Sequence, residues 1–470
     1  MPSNLYPHPE ERSGGAGARL EGRATALHSL LPALLLMLLA ALPARAMQIQ
    51  QVTSPKGIGA WLVEDHSVPV LTLRFVFPGA AAVDPPGKRG LAAMVSDLLD
   101  EGAGPYDATA FHGRLEELGG YLTFSAGQDE FIGTLRMLKQ NLRDTAELLH
   151  LSLTAPTFAS EAVERIRGDV LAALARQARS PRYLASRLWM HDAFDRHPYG
   201  SSASGDETSV AAISRDDLAG YVTGHFQRNG LIIGLVGDVT AAEAAALVDL
   251  VFGDLPAGGP AAEVADAKPG DDGALVVSRW PVPQSVVTFG QIGLKRDDPD
   301  WYAAMVLNDI LGGGGFRGRL MNEIREKRGL AYGVSTELVP YRHAGRILGN
   351  VATENSRVGE TIALVRAEWQ RMRDQGPTEA ELDAAKRYLT GSFPLSLDST
   401  SHIASVLVQL QIDGLGIDYL DRRAALIDAV RLDQVRALAH RLLDPNGLSF
   451  VVVGEPAGVT GTRPPRPMQH

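Results

Sequence analysis

The chain repeats itself, and that repeat limits its fold more than any other feature. Ala92-Ala93-Met94-Val95 returns as Ala303-Ala304-Met305-Val306, 211 residues downstream. Gly113-Arg114-Leu115 returns as Gly318-Arg319-Leu320, and the run from Asn229-Gly230-Leu231 to Val236-Gly237 returns as Asn446-Gly447-Leu448 to Val453-Gly454, 217 residues on. Three echoes in one order, with an offset that drifts by a few residues, mean a duplicated unit whose loops have varied. In the first copy, 48–52, 60–63 and 70–77 read as strands, 88–100 and 108–118 as helices, 121–125 and 131–137 as a strand pair, and 160–177 as a long helix. The expected fold is therefore α+β: two homologous α/β sandwich-like domains, each an antiparallel-rich sheet with helices packed on it, at 47–254 and 274–456. Segment 255–273, rich in Ala, Gly, Pro and Asp, has linker composition, and 457–470, with Arg463-Pro464-Pro465-Arg466-Pro467, is expected to be a disordered tail.

Residues 1–46 stand apart. A polar lead with Arg19 and Arg23 precedes the apolar run 30–42 and then Ala44-Arg45-Ala46, the pattern of a secretory signal too short to span a membrane comfortably. Cleavage before Met47 would leave a periplasmic or secreted chain with no stable membrane span. Such a chain has no disulfide support, because it contains no cysteine, and it lacks a thiolate nucleophile for the same reason. A formal charge of −10 argues against nucleic acid as a partner.

The most informative stretch is 311–333. Gly312, Gly313, Gly314 and Gly315 read as a flexible loop, since each glycine costs ~1 kcal/mol in a helix relative to alanine. Leu320, Ile324 and Leu330 then fall near one helical face, with Arg317, Arg319, Glu323, Arg325, Glu326, Lys327 and Arg328 as the solvated remainder. Gly329 stops the helix, and Tyr332, Val334 and Leu338 alternate as a strand. The pattern L-G-G-G-x(4)-R-L-x(3)-I-R-E-K-R-G-L-A-Y resembles the second-domain signature of the pitrilysin/insulinase family of zinc peptidases, in its bacterial two-subunit and mitochondrial-processing-peptidase branch. The resemblance runs over about 47–456 and includes His197-Pro198-Tyr199-Gly200. It implies that Arg325 and Tyr332 face a bound peptide, that the four glycines form a substrate-binding loop, and that two such chains enclose a chamber from four domains.

Active members of that family carry an inverted zinc motif, H-x-x-E-H, on the helix that here starts near Gly90. Two histidines one helical turn apart reach the metal, and the glutamate between them polarises its water. The corresponding residues here are Ala93, Ser96 and Asp97. The distal glutamate ligand falls at Ala173, and a supporting acidic position falls at Ile166. The sequence has no HExxH, His191 and His197 are six apart, and His66 and His112 read as structural or surface residues. The chain alone is therefore expected to hold no stoichiometric zinc and no other cofactor. The resemblance then implies a non-catalytic, substrate-binding subunit that pairs with a zinc-bearing homologue and degrades peptides. The alternatives are a proteolytically inactive scaffold or peptide-binding protein of the same fold, and an active peptidase with an unrecognised site.

Overall fold

The computed structural model describes residues 47–259, 263–267, 270 and 272–466; the expected signal segment lies outside them. The first half supplies β1 (Gln50–Thr53), β2 (Gly59–Glu64), β3 (Val70–Pro78), the short hairpin β4 (Gly102–Ala103) and β5 (Tyr106–Asp107), then β6 (Tyr121–Ala126), β7 (Glu130–Leu138) and β8 (Ile232–Gly237). The second supplies β9 (Leu275–Arg279), β10 (Gln284–Ile292), β11 (Ala331–Tyr341), β12 (Ala344–Glu354) and β13 (Ser449–Gly454). The large sheets run β1-β2-β8-β3-β7-β6 and β11-β12-β10-β13-β9. Read from the other end, the second order superposes on the first strand for strand, with β1 as an addition. Each sheet has one parallel pair, β2 with β8 and β9 with β13, among antiparallel neighbours. The architecture is α+β, and the sequence repeat is a repeat of sheet topology.

Strand β3 shows why these residues sit where they do. Leu71, Leu73, Phe75 and Phe77 point into a core shared with the helices of the first half. Thr72 and Arg74 alternate to the other face, as a pleated strand requires. That other face is not open. The Thr72 hydroxyl lies 2.8 Å from that of Thr400, at the start of the helix Thr400–Ile412 from the second half. A Cβ added at Gly234 would come within 3.2 Å of the Ala404 carbonyl and of Leu407 in that helix. The second sheet is covered in the same way by the helix Pro181–Phe194 of the first half. Its Ala185, Leu188, Trp189 and Ala193 join Val276, Val451 and Val453 in a third apolar cluster, and Trp189 leaves no room for a side chain at Gly290. The two halves have exchanged helices.

Two expectations change here. Segment 457–466 is not disordered: Thr462 N–H donates to Leu275 O at 2.7 Å, Arg463 bridges to Val276, and the Arg463 guanidinium holds Asp192 at 3.1 Å and Asp272 at 3.3 Å. Its prolines forbid a helix but suit an extended segment beside the edge strand β9. The helix read over 88–100 is shorter, Leu91–Ser96 followed by a turn. Gly90 at φ 91° precedes it, and the buried Asp84 carboxylate accepts the N–H groups of Gly90, Leu91 and Ala92. Burial outweighs those bonds and pushes the Asp84 carboxyl up to about 7. Among the described residues, no helix is long and apolar enough to cross a membrane.

Candidate functional site

In the first half, the positions that would carry the zinc motif lie on the helix Leu91–Ser96 and just after it. Ala93 offers a methyl group. Ser96 donates its hydroxyl to Ala93 O at 2.7 Å, which satisfies it within its own helix turn. Asp97 is the single carboxylate; surrounding protein and then Asp100 push it up to about 6, although its side chain still reaches solvent. On the long helix Ser160–Gln177, Ile166 is buried in the core and Ala173 is half-buried. One carboxylate among five positions cannot hold a zinc ion, which needs three protein ligands in a catalytic site. The donor set does not fit the family's metal.

The corner in the second half is built differently. The helix Trp301–Asn308 runs on into a π-helical turn, Asp309–Gly313, closed by Gly314 N–H donating to Asp309 O at 2.8 Å. Gly312 and Gly313 are thus not part of a flexible loop. A Cβ at Gly312 would stand 2.6 Å from the Thr336 hydroxyl, and one at Gly313 would stand 2.5 Å from Asn308 Nδ2. The glycines allow the turn to lie flat against β11, and that packing outweighs their poor helix propensity. Gly315 alone takes a left-handed conformation, φ 60°. A second π-helical turn, Asn322–Glu326, follows the short helix Arg319–Met321, and Gly329 at φ 59° ends it. Such turns are rare and cluster at functional sites.

These two turns bring Phe316, Arg325 and Tyr332 together. The Arg325 guanidinium carbon lies 4.6 Å from the Phe316 ring centre and 4.8 Å from that of Tyr332. Both rings are exposed, at 68% for Phe316 and 87% for Tyr332. A register shift between β11 and β12 at Ala331–Val334 frees Tyr332 from the ladder and turns it outward. Among the described residues the guanidinium makes no hydrogen bond, and Glu326, 3.6 Å away, is its carboxylate neighbour. Alongside, Arg317 stacks 3.8 Å over Tyr388 and reaches Asp309 at 3.3 Å. Burial raises the Asp309 carboxyl against the pull of that arginine.

Glu323 corrects another sequence expectation. It reads as a solvated charge, yet it is buried on the inner side of the π-helical turn. It accepts from Lys327 and, at 2.6 Å, from Arg328, with Arg371 3.8 Å away; hydrogen bonding to Lys327 leads in holding its carboxyl below the usual range. The sequence brings Arg325 and Tyr332 into one reading through the resemblance of the surrounding motif to the family signature. It misses Phe316, whose signal is a lone aromatic directly after a glycine run.

Residues 212–389 match the family model described as the peptidase M16 inactive domain. The "Non-peptidase homolog YmxG" of Helicobacter pylori (strain ATCC 700392 / 26695) is 27% identical over 421 residues, 89% of this chain and 97% of that protein. The "Mitochondrial-processing peptidase subunit beta" of Blastocladiella emersonii is 21% identical over 86% of this chain and 88% of its own length. The crystal structure of a peptidase M16 inactive domain from Pseudomonas fluorescens covers 86% of this chain and 98% of its own, with a TM-score of 0.80 and 29% identity.

Proposed function

Because the chain is an inactive homologue of the M16, pitrilysin/insulinase-type peptidases, we propose that it is exported and serves as the non-catalytic, substrate-binding subunit of a heterodimeric zinc endopeptidase. The partner is a homologue that carries the intact zinc motif, and the substrate is a peptide held between the two chains. The observation that carries this reading is the Phe316–Arg325–Tyr332 stack. A cation wedged between two exposed rings, with a single carboxylate 3.6 Å from it and no hydrogen bond among the described residues, is a good receptor for peptide carbonyls or a terminal carboxylate. A charge-assisted bond of that kind contributes roughly 1.5–3 kcal/mol net. The Tyr332 hydroxyl can donate to an oxygen that gains charge as the peptide carbonyl is attacked.

No residue of this chain activates water in that scheme. Its part is to bind and orient the peptide and to close the chamber, while the partner's zinc supplies the nucleophile. The relative named as subunit beta of a mitochondrial-processing peptidase, a name that implies a further subunit, supports pairing of this kind. The test is co-expression with a zinc-bearing homologue encoded nearby, followed by a peptide-cleavage assay on each chain alone and on the mixture. Turnover by the mixture alone, or well above that of the partner alone, is expected. A partner equally active without this chain would leave the scaffold reading in its place.

A further inference from the structure

Beyond the peptide-binding corner, the first half gathers a second set of side chains that the proposed function does not use. The turn after the helix Leu91–Ser96 ends at Asp100-Glu101, and Gly102, at φ 112°, starts the β4–β5 hairpin. That hairpin returns the chain to Asp107, whose carboxylate caps the helix Ala108–Glu117 by accepting from Ala110 N–H at 2.8 Å. Phe111 anchors this helix in the core, which leaves His112 exposed over the turn. As a result, one ligand atom each from Asp100, Glu101 and His112 lies within 4.8 Å of the others.

Their partners are few. Glu101 accepts from Arg165 through one oxygen, Oε2, and among the described residues its other oxygen has no hydrogen bond. Among the described residues, Asp100 has no ion pair or hydrogen bond to another residue and meets His112 and Arg165 only through space. The His112 ring meets Phe111 edge-on and makes no hydrogen bond among the described residues. Asp97 and Asp100 crowd the same turn with like charge. The geometry and the unused donors point to a divalent transition-metal ion of the zinc class, and we infer that Asp100, Glu101 and His112 bind it.

One imidazole and two carboxylates suit zinc or manganese better than calcium, which prefers oxygen alone. Three ligands around a zinc ion stand roughly 3.3 Å apart at normal bond lengths, so binding draws the three side chains together by at most roughly 1.5 Å. The ion would tie the hairpin and the helix Ala108–Glu117 to the end of the helix Leu91–Ser96, and Arg165 would compete with it for Glu101. The site shares no residue with the positions of the inverted zinc motif. It runs against the sequence expectation that the chain holds no zinc, which rested on Ala93, Ser96, Asp97 and Ala173 at the motif positions and on the lack of a helical histidine pair.

The test is titration of the chelator-stripped full-length chain with Zn²⁺ by calorimetry and with Co²⁺ by visible absorption, with circular dichroism as the check on each variant's fold. One ion per chain is expected, with affinity lowered ~10-fold or more in D100N and in H112A. R165Q, which removes the competing cation, should bind more tightly, and D97N should match the unsubstituted chain. Absence of saturable binding would overturn the assignment. So would binding unchanged in both D100N and H112A, or binding abolished by D97N alone. None of these outcomes depends on whether the chain pairs with a peptidase.

Discussion

The two halves share one sheet topology and treat the same stretch of it in opposite ways. In the first, the helix Leu91–Ser96 carries Ala93 and an internally bonded Ser96 where an M16 peptidase needs ligands and a base. In the second, the equivalent helix Trp301–Asn308 leads through two π-helical turns to an arginine wedged between exposed rings. The difference teaches that one duplicated scaffold can carry almost no ligating side chains at one copy of a helix and a solvent-facing arginine–aromatic stack beside the other.

That contrast breaks most easily at the glycines. G312A forces a methyl group to within 2.6 Å of the Thr336 hydroxyl and 3.0 Å of its backbone nitrogen. Thermal or urea unfolding should show a loss of about 1–3 kcal/mol. A stability unchanged by G312A would mean that the turn floats free of β11. The next test concerns the site itself. In the reconstituted complex, R325A or Y332F should lower peptide turnover ~10-fold or more, equivalent to ~1.4 kcal/mol of transition-state stabilisation, with subunit association intact. A93S and D97N should stay within about twofold of the parent, since neither residue has a catalytic part to lose. Equal effects at both places would erase the distinction between the halves.

Gly113 and Gly318 are mates in the sequence repeat, so they sharpen the comparison at a smaller scale. An added Cβ meets nothing within 4 Å at Gly113, but at Gly318 it comes to 3.1 Å from Gly312 Cα. G113A should therefore stabilise the protein by about 0.4–1 kcal/mol, and G318A should not. The smallest effect is one of pH. Glu381 pairs both oxygens with Arg319, and these bonds with those to Thr378 outweigh burial and hold its carboxyl at about 2, against 4.5 for a free glutamate. Its contribution is complete above pH 4.5 and is lost as pH falls toward 2. Asp97 runs the other way: with its carboxyl pushed up to about 6, its contribution is most favourable below about 4 and declines as pH rises through 6. Unfolding midpoints of E381Q should lose part of the acid slope between pH 4.5 and 2, and those of D97N part of the slope between 4 and 6.

How far the sequence could be read depended on whether a residue's role is local. Echoes such as Asn229-Gly230-Leu231 and Asn446-Gly447-Leu448 predict the duplicated sheets because turn and strand chemistry sits in neighbouring residues. Arg325 and Tyr332 are legible as a pair through the resemblance of the contiguous motif around them, in which Gly329 marks the corner between helix and strand. Glu323 was not, because a charge among charges carries no depth in a linear pattern. Arg463 and Arg466 were hidden by composition, their partners Asp192 and Asp272 lying 191 or more residues away. Nor could the sequence tell that the helix Pro181–Phe194 covers the other half's sheet, since an apolar face fits either sheet equally well.

That exchange of helices has a consequence for how the protein is made. When β8 leaves the ribosome, every strand of the first sheet exists, but the helix that covers its outer face lies 163 residues further on. At typical synthesis rates that gap lasts roughly ten to thirty seconds. Throughout it, Thr72 lacks its hydroxyl partner and the face around Gly234 stays bare. The first half thus emerges with one face of its sheet uncovered, and that face is completed only once the far end of the message has been read.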